Sequence, residues 1–323
     1  MDKVNDHTAS DGNSRVDQRH AQSTIRHAVL ITAYKNPQQI VDIVNYLNEG
    51  FEFYIHVDKK SKMDTRSFED IPNVHVFRRY IVNWGSIDHL RSILMLSHEA
   101  LADRRNKYFH LITGQDFPVK SCDYILNTLD TENDYLEYFS LPSTHWRDRG
   151  GMDRLEYYNL YELFDHQTYA GRVIIKLIRM TQKFLGIRRQ LPTDIFPSLF
   201  GGSTYWSLTR DSLQYVIDFT GKHPRAMECM KYTFCSEEIY FQTVLLNARD
   251  HRKIVNDNLR YIDWSPQRLG NPAFLDNTDY EKIIASNKLF ARKFHEELSE
   301  DLKKQLMHTQ REEGKSEKTT LAF

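Results

Sequence analysis

The sequence predicts an α/β fold, a single domain with a mostly parallel central sheet flanked by helices. Three observations carry that prediction. Short continuous apolar runs such as His27-Ala28-Val29-Leu30-Ile31-Thr32-Ala33 recur along the first half, the pattern of strands buried on both faces. Segments with apolar residues three and four apart lie between them, as strand–helix–strand alternation requires. No repeat or low-complexity linker breaks the 323 residues, so one domain over residues 26–310 holds the pattern.

The first strand spans 27–33. In the helix that follows, Asn36 can cap, Pro37 takes the first position, and Ile40, Ile43, Val44 and Leu47 make one face. Gly50 ends it. Phe53–Val57 is the second strand, closing at Asp58, and Val74–Phe77 is the third. Ser86 is placed to cap a helix whose Leu90, Ile93, Leu94 and Ser97 share a face. Tyr108–Ile112 is the fourth strand. The second half is less regular: a basic helix near 171–187, a strand at Thr204–Leu208, helices near 210–219 and 237–247, and a last helix near 295–309. Residues 1–25 and 311–323 are polar and without period, so both read as disordered tails.

Composition narrows the function classes. Hydrophobic residues make up 40% and charged residues 27%, enough for a sizeable core. The net charge of −1 excludes a general nucleic-acid binder; an anionic ligand needs a local basic cluster instead. Cys122, Cys229 and Cys235 are odd in number and lack zinc-type spacing, so a reducing, cytoplasmic setting is expected. No uninterrupted run of about 18 apolar residues occurs, so no membrane span is expected. In parallel sheets, ligands bind beyond the carboxyl ends of the strands. Asp58, Trp84 and Gly114 through Asp116 fall there.

Cys235-Ser236-Glu237-Glu238-Ile239-Tyr240-Phe241-Gln242-Thr243 sets two adjacent carboxylates at a helix start. Locally this reads as an acidic first turn capped by Ser236. Trp84-Gly85-Ser86 and Gly114-Gln115-Asp116-Phe117-Pro118 read as turns. Gly201-Gly202-Ser203-Thr204-Tyr205-Trp206 permits close backbone approach. Lys293, in Phe290-Ala291-Arg292-Lys293-Phe294, reads as a solvated charge.

Taken in this order, the motifs resemble the core-2/I-branching family of glycosyltransferases, which includes peptide O-xylosyltransferases. The resemblance spans roughly residues 27–300. It implies a GT-A-like fold and an inverting transfer of a sugar, N-acetylglucosamine in the first reading, from a UDP donor to a glycan hydroxyl. It makes Glu238 the catalytic base, with Phe241 and Thr243 at the family's spacing; Glu237 stands where aspartate is usual. Such enzymes work without metal, and no Asp-X-Asp occurs in this chain. His56-Val57-Asp58 stands in its place, which puts Asp58 with the nucleotide. Lys293 matches the family lysine on the diphosphate, and Arg268 is the match to its arginine. Trp264 and Arg154 fall in the acceptor-facing region. No cofactor or metal is implied; the partners are a UDP-sugar and a glycan or glycolipid acceptor. Animal members carry an N-terminal anchor that is not evident here, which suggests a bacterial member. A UDP-xylose-dependent transferase and a glycan-binding protein without transfer activity remain alternatives.

A helix from Gly171 to Arg189 mixes Arg172, Lys176, Arg179, Lys183, Arg188 and Arg189 with aliphatic residues. It reads as an amphipathic helix with its apolar side on the core. Peripheral contact with the inner face of a membrane is the second reading.

Overall fold

The computed structural model describes residues 26–47, 49–129, 132–248, 253–265 and 268–309. The tails expected at 1–25 and 311–323 lie outside the described residues. The first half builds β1 (Arg26–Ala33), α1 (Pro37–Tyr46), β2 (Phe51–Val57), β3 (Val74–Phe77), α2 (Ile87–Ala102) and β4 (Asn106–Thr113). Next come β5 (Asp116–Pro118), α3 (Cys122–Thr128), β6 (Asn133–Leu136), β7 (Phe139–Ser140), α4 (Met152–Glu156) and α5 (Tyr169–Leu185). The second half adds β8 (Phe200–Gly201), β9 (Trp206–Thr209), α6 (Arg210–Lys222), α7 (Pro224–Lys231) and α8 (Tyr240–Leu246). It closes with β10 (Lys253–Val255), β11 (Arg260–Ile262), α9 (Tyr280–Ala285), β12 (Phe290–Arg292) and a final helix, α10, over 300–309.

Seven strands form the central sheet in the order β10-β6-β9-β4-β1-β2-β3. The pairs β1–β2, β1–β4, β2–β3 and β10–β6 are parallel, while β9 runs antiparallel to both β4 and β6. Successive strand residues point to opposite faces, which splits the core into two layers. Val29, Ile31, Phe53 and Ile55 meet α1 and the C-terminal elements on one side. Ala28, Leu30, Phe109 and Leu111 meet α2 and α6 on the other. Leu30 is fully buried in the second layer, so Leu30→Ala is expected to destabilise the protein by about 2–5 kcal/mol. Urea unfolding of the two proteins checks this.

Three expected caps are corrected. Asn36 adopts a left-handed conformation (φ 59°), and neither its side chain nor that of Ser86 bonds to the helix behind it. Ser236 caps nothing either: 236–238 form a single tight turn, and Ile239 interrupts the path before α8. The hydroxyls of Ser86 and Ser236 are buried without a partner. Working caps sit at Ser121, Thr168 and Thr209, each accepting a backbone N–H.

The basic helix also differs from expectation. Only Gly171, Ile175 and Gln182 of α5 are buried; Leu177 and Phe184 face outward. Ile175 is buried and Ile174 and Ile178 are half-buried, so only part of its apolar surface is covered by the rest of the protein.

Candidate active site

The site is built from the loops beyond the carboxyl ends of β1, β2 and β4. Beyond β2, Asp58 is buried, and its Oδ1 accepts the N–H groups of Lys60 (3.1 Å) and Val82 (3.2 Å). His56 Nε2 accepts from Tyr80 N–H (3.1 Å). Burial pushes its imidazole down to about 4, so the ring is neutral and suited to accepting. Asp58 and His56 thus fold residues 80–82 over the strand end and set the approach to Trp84-Gly85-Ser86.

Gly85 has φ +81°, and a Cβ there would lie 2.4 Å from the Phe234 ring. Its carbonyl accepts from Cys235 N–H (3.1 Å). Cys235 itself is left-handed (φ 51°). This close approach delivers the Glu237–Glu238 turn to the sheet. The two carboxylates then diverge. Glu237 is buried and accepts from His89 Nδ1 (3.1 Å), leaving Nε2 to face Thr32 Oγ1 (3.2 Å) at the end of β1. Glu238 accepts from Arg154 Nη1 at 2.5 Å, and the guanidinium lies 3.7 Å over the Trp146 ring.

The Glu238 side chain keeps 29% of its surface open, so it can be reached from solvent. The protein packed against the rest of the side chain desolvates the carboxyl and pushes its pKa up to about 7, against the opposing pull of Arg154. The 3₁₀ turn is too short for a helix dipole to hold the carboxyl acidic, and burial dominates. Gly202 N–H donates to Glu238 O (2.9 Å). A Cβ on Gly202 would fall 1.9 Å from Glu137 O, so only glycine permits that contact. Thr243 Oγ1 both accepts from Phe200 N–H and donates to Phe200 O, at 3.1 Å each. The glycine motif and the acidic motif are thereby one unit.

The other pole joins two more motifs. β5 and β12 pair antiparallel with Asp116 opposite Arg292, and β11 flanks β12. Asp116 is fully buried, accepts from Thr113 N–H (2.5 Å) and faces Arg292 Nε at 3.5 Å. Burial raises its carboxyl and Arg292 pulls it back. Lys293 follows Arg292, and its ammonium sits 4.9 Å over Phe274. Burial, then Arg292, then Lys35 lower its pKa. Lys35, just past β1, is therefore part of the same positive cluster. Sequence reasoning missed Lys35, Arg292 and His89; the available signal was position, since Lys35 follows a parallel strand's carboxyl end and His89 follows the Trp84-Gly85-Ser86 turn.

Two expected residues lie differently. Arg268 is enclosed by Asp263 (3.0 Å), Asp276 (2.9 Å), Asp279 (2.6 Å) and the Phe274 carbonyl (2.8 Å). These bonds engage both terminal nitrogens of the guanidinium, whose side chain keeps 22% of its surface open. Trp264 is 65% exposed and borders a cleft of about 290 Å³ with Glu137, Asn258, Arg260 and Lys288. Through Glu137 and Gly202 that cleft adjoins the Glu238 turn. Among the described residues, no three His, Cys, Asp or Glu side chains are grouped to hold a metal ion.

The model of the Core-2/I-Branching enzyme family matches residues 29–284. The chain belongs to that family. Its mostly parallel sheet flanked by helices is the family's GT-A-like fold. Asp58, Arg154, Glu238, Trp264 and Arg268 lie within the matched span, and Lys293 lies beyond it. The chain is similar to Beta-glucuronosyltransferase GlcAT14A of Arabidopsis thaliana, 38% identical over 260 residues, covering 76% of this chain and 55% of that protein. Xylosyltransferase 2 of Homo sapiens is 24% identical over 282 residues, covering 79% and 30%. Xylosyltransferase 1 of Mus musculus is 26% identical over 228 residues, covering 68% and 22%. The chain thus spans about half, or less, of the length of these curated relatives.

Proposed function

We propose that this chain is an inverting glycosyltransferase that moves a sugar from a UDP donor to a glycan hydroxyl without a divalent cation. One observation carries the reading: the Glu238 carboxyl is partly open to solvent, paired with Arg154, and has its pKa raised to about 7. A base is most effective when its pKa lies near the working pH. In the reaction, the acceptor oxygen attacks the anomeric carbon as the bond to the β-phosphate oxygen breaks. The hydroxyl proton passes to Glu238, and the electron pair of the broken bond leaves with UDP. A single displacement inverts the anomeric centre.

Lys293 and Lys35 meet the charge of the leaving diphosphate, with Arg292 behind them. Arg268 joins on the donor side when a phosphate oxygen replaces Asp276, the most exposed of its carboxylates at 45%. Asp58 shapes the nucleotide side through the loop it holds. Trp264 offers an open indole face to acceptor sugar, and Arg154, stacked on Trp146, orients Glu238. N-acetylglucosamine is the donor sugar in this reading. Glucuronate and xylose, the sugars in the relatives' names, are the comparators.

The test is UDP release from UDP-N-acetylglucosamine, UDP-glucuronate and UDP-xylose in the presence of candidate glycans, with and without EDTA. Release from one donor, unchanged by EDTA, is expected. Release that requires manganese, or glycan binding with no release from any donor, overturns the proposal.

Arg154 supplies a further check. Its positive charge favours ionised Glu238, so Arg154→Gln raises the carboxyl pKa. The rising limb of the pH–rate profile is expected to move to higher pH, with activity at pH 7 reduced and partly recovered at pH 9.

A further inference from the structure

Helix α5 is fastened to the protein along one line. A Cβ on Gly171 would lie 2.0 Å from Asp165 O, so the helix start sits hard against that loop. Gln182 bonds both the N–H (2.8 Å) and the carbonyl (3.1 Å) of Tyr158. Arg179 pairs with Asp148 and Asp153. At 3.6 residues per turn, the opposite side carries Tyr169, Val173, Leu177, Met180 and Phe184. Their exposures are 79, 39, 57, 55 and 88%. The adjoining flank carries Arg172, Lys176 and Lys183, all exposed. Among the described residues, none of these three forms an ion pair.

An apolar stripe of this size on an outer helix marks a contact surface. The free cations select the partner. A second copy meeting this face on a twofold axis would bring like charges together. A bilayer with anionic headgroups matches both parts, taking the stripe into the acyl boundary and the cations into the headgroup layer. We propose that α5 docks this protein flat on an anionic membrane surface. The Arg179–Asp153 pair links α5 to α4 next to Arg154, so docking fixes the candidate site at a set height and tilt above the lipid.

The test is co-sedimentation of the full chain with vesicles of mixed phosphatidylcholine and phosphatidylglycerol, against phosphatidylcholine alone. Binding to the anionic vesicles is expected to be at least about tenfold stronger and to weaken with added salt. Leu177→Asp with Phe184→Asp, and separately Lys176→Glu with Lys183→Glu, are each expected to lower it about tenfold or more. Both double variants should keep the wild-type circular dichroism spectrum and melting temperature, because none of the four side chains is buried. Equal or absent binding to the two vesicle types, or full binding by either folded variant, overturns the proposal. So does a dimer in light scattering that Phe184→Asp dissolves in protein that does not bind vesicles.

Discussion

Replacing Glu238 by glutamine is expected to lower kcat about 10²–10⁴-fold while leaving donor affinity close to wild type. The amide fills the same space and can still accept from Arg154, so the change removes the base and little else. Wild-type activity should rise with pH through about 7, the raised pKa of this carboxyl, and the residual activity of Glu238→Gln should lack that limb. Steady-state UDP release across pH 5–9 measures both. Retention of activity in the variant removes Glu238 from the chemistry.

The same substitution has a stability consequence of opposite sign. The folded carboxyl titrates near 7 against an ordinary value of 4.5. Its contribution to stability is therefore full below about pH 4.5 and is lost as pH rises through 7. At pH 8 the wild-type protein bears the cost of an ionised, partly desolvated group. Glu238→Gln is expected to be more stable there by about 1–3 kcal/mol, with the gain gone at pH 4. Thermal unfolding at the two pH values reads this directly.

Replacing Lys293 by methionine is expected to lower kcat by about 10²–10³-fold, the scale of losing one fixed charge at a developing anion. The aliphatic stem can still pack on Phe274, so the loss belongs to the ammonium. UDP should also bind more weakly as a product inhibitor. Lys293→Arg should restore part of both, since it keeps the charge with altered geometry. An unchanged kcat in Lys293→Met places the leaving group elsewhere.

The long strands were readable because burial on two faces leaves runs such as Val29-Leu30-Ile31 with no polar interruption. The three-residue strands β5, β11 and β12 were not, because their pairing comes from tertiary contact and leaves no period. Asn36, Ser86 and Ser236 misled because such residues suit turns as readily as caps. The acidic motif and Arg154 were both singled out, yet their contact joins positions 84 apart, and no local pattern encodes it. Arg268 is the opposite case. Asp263, Asp276 and Asp279 stand close to it in the sequence, a local signal that the assignment of Arg268 to the diphosphate left unused. The outward apolar face of α5 was hidden because amphipathic spacing shows that two faces differ, not which one meets the core.

Strand β9 lies between β4 and β6, with its neighbours made earlier in the chain. On the ribosome, β1 through β4 can assemble as soon as they leave the exit tunnel. Strand β6 must wait, unpaired, while residues 137–205 are still being translated. Throughout that interval the nascent polypeptide presents two raw sheet margins to chaperones, and a stall there would leave a truncated product prone to aggregate.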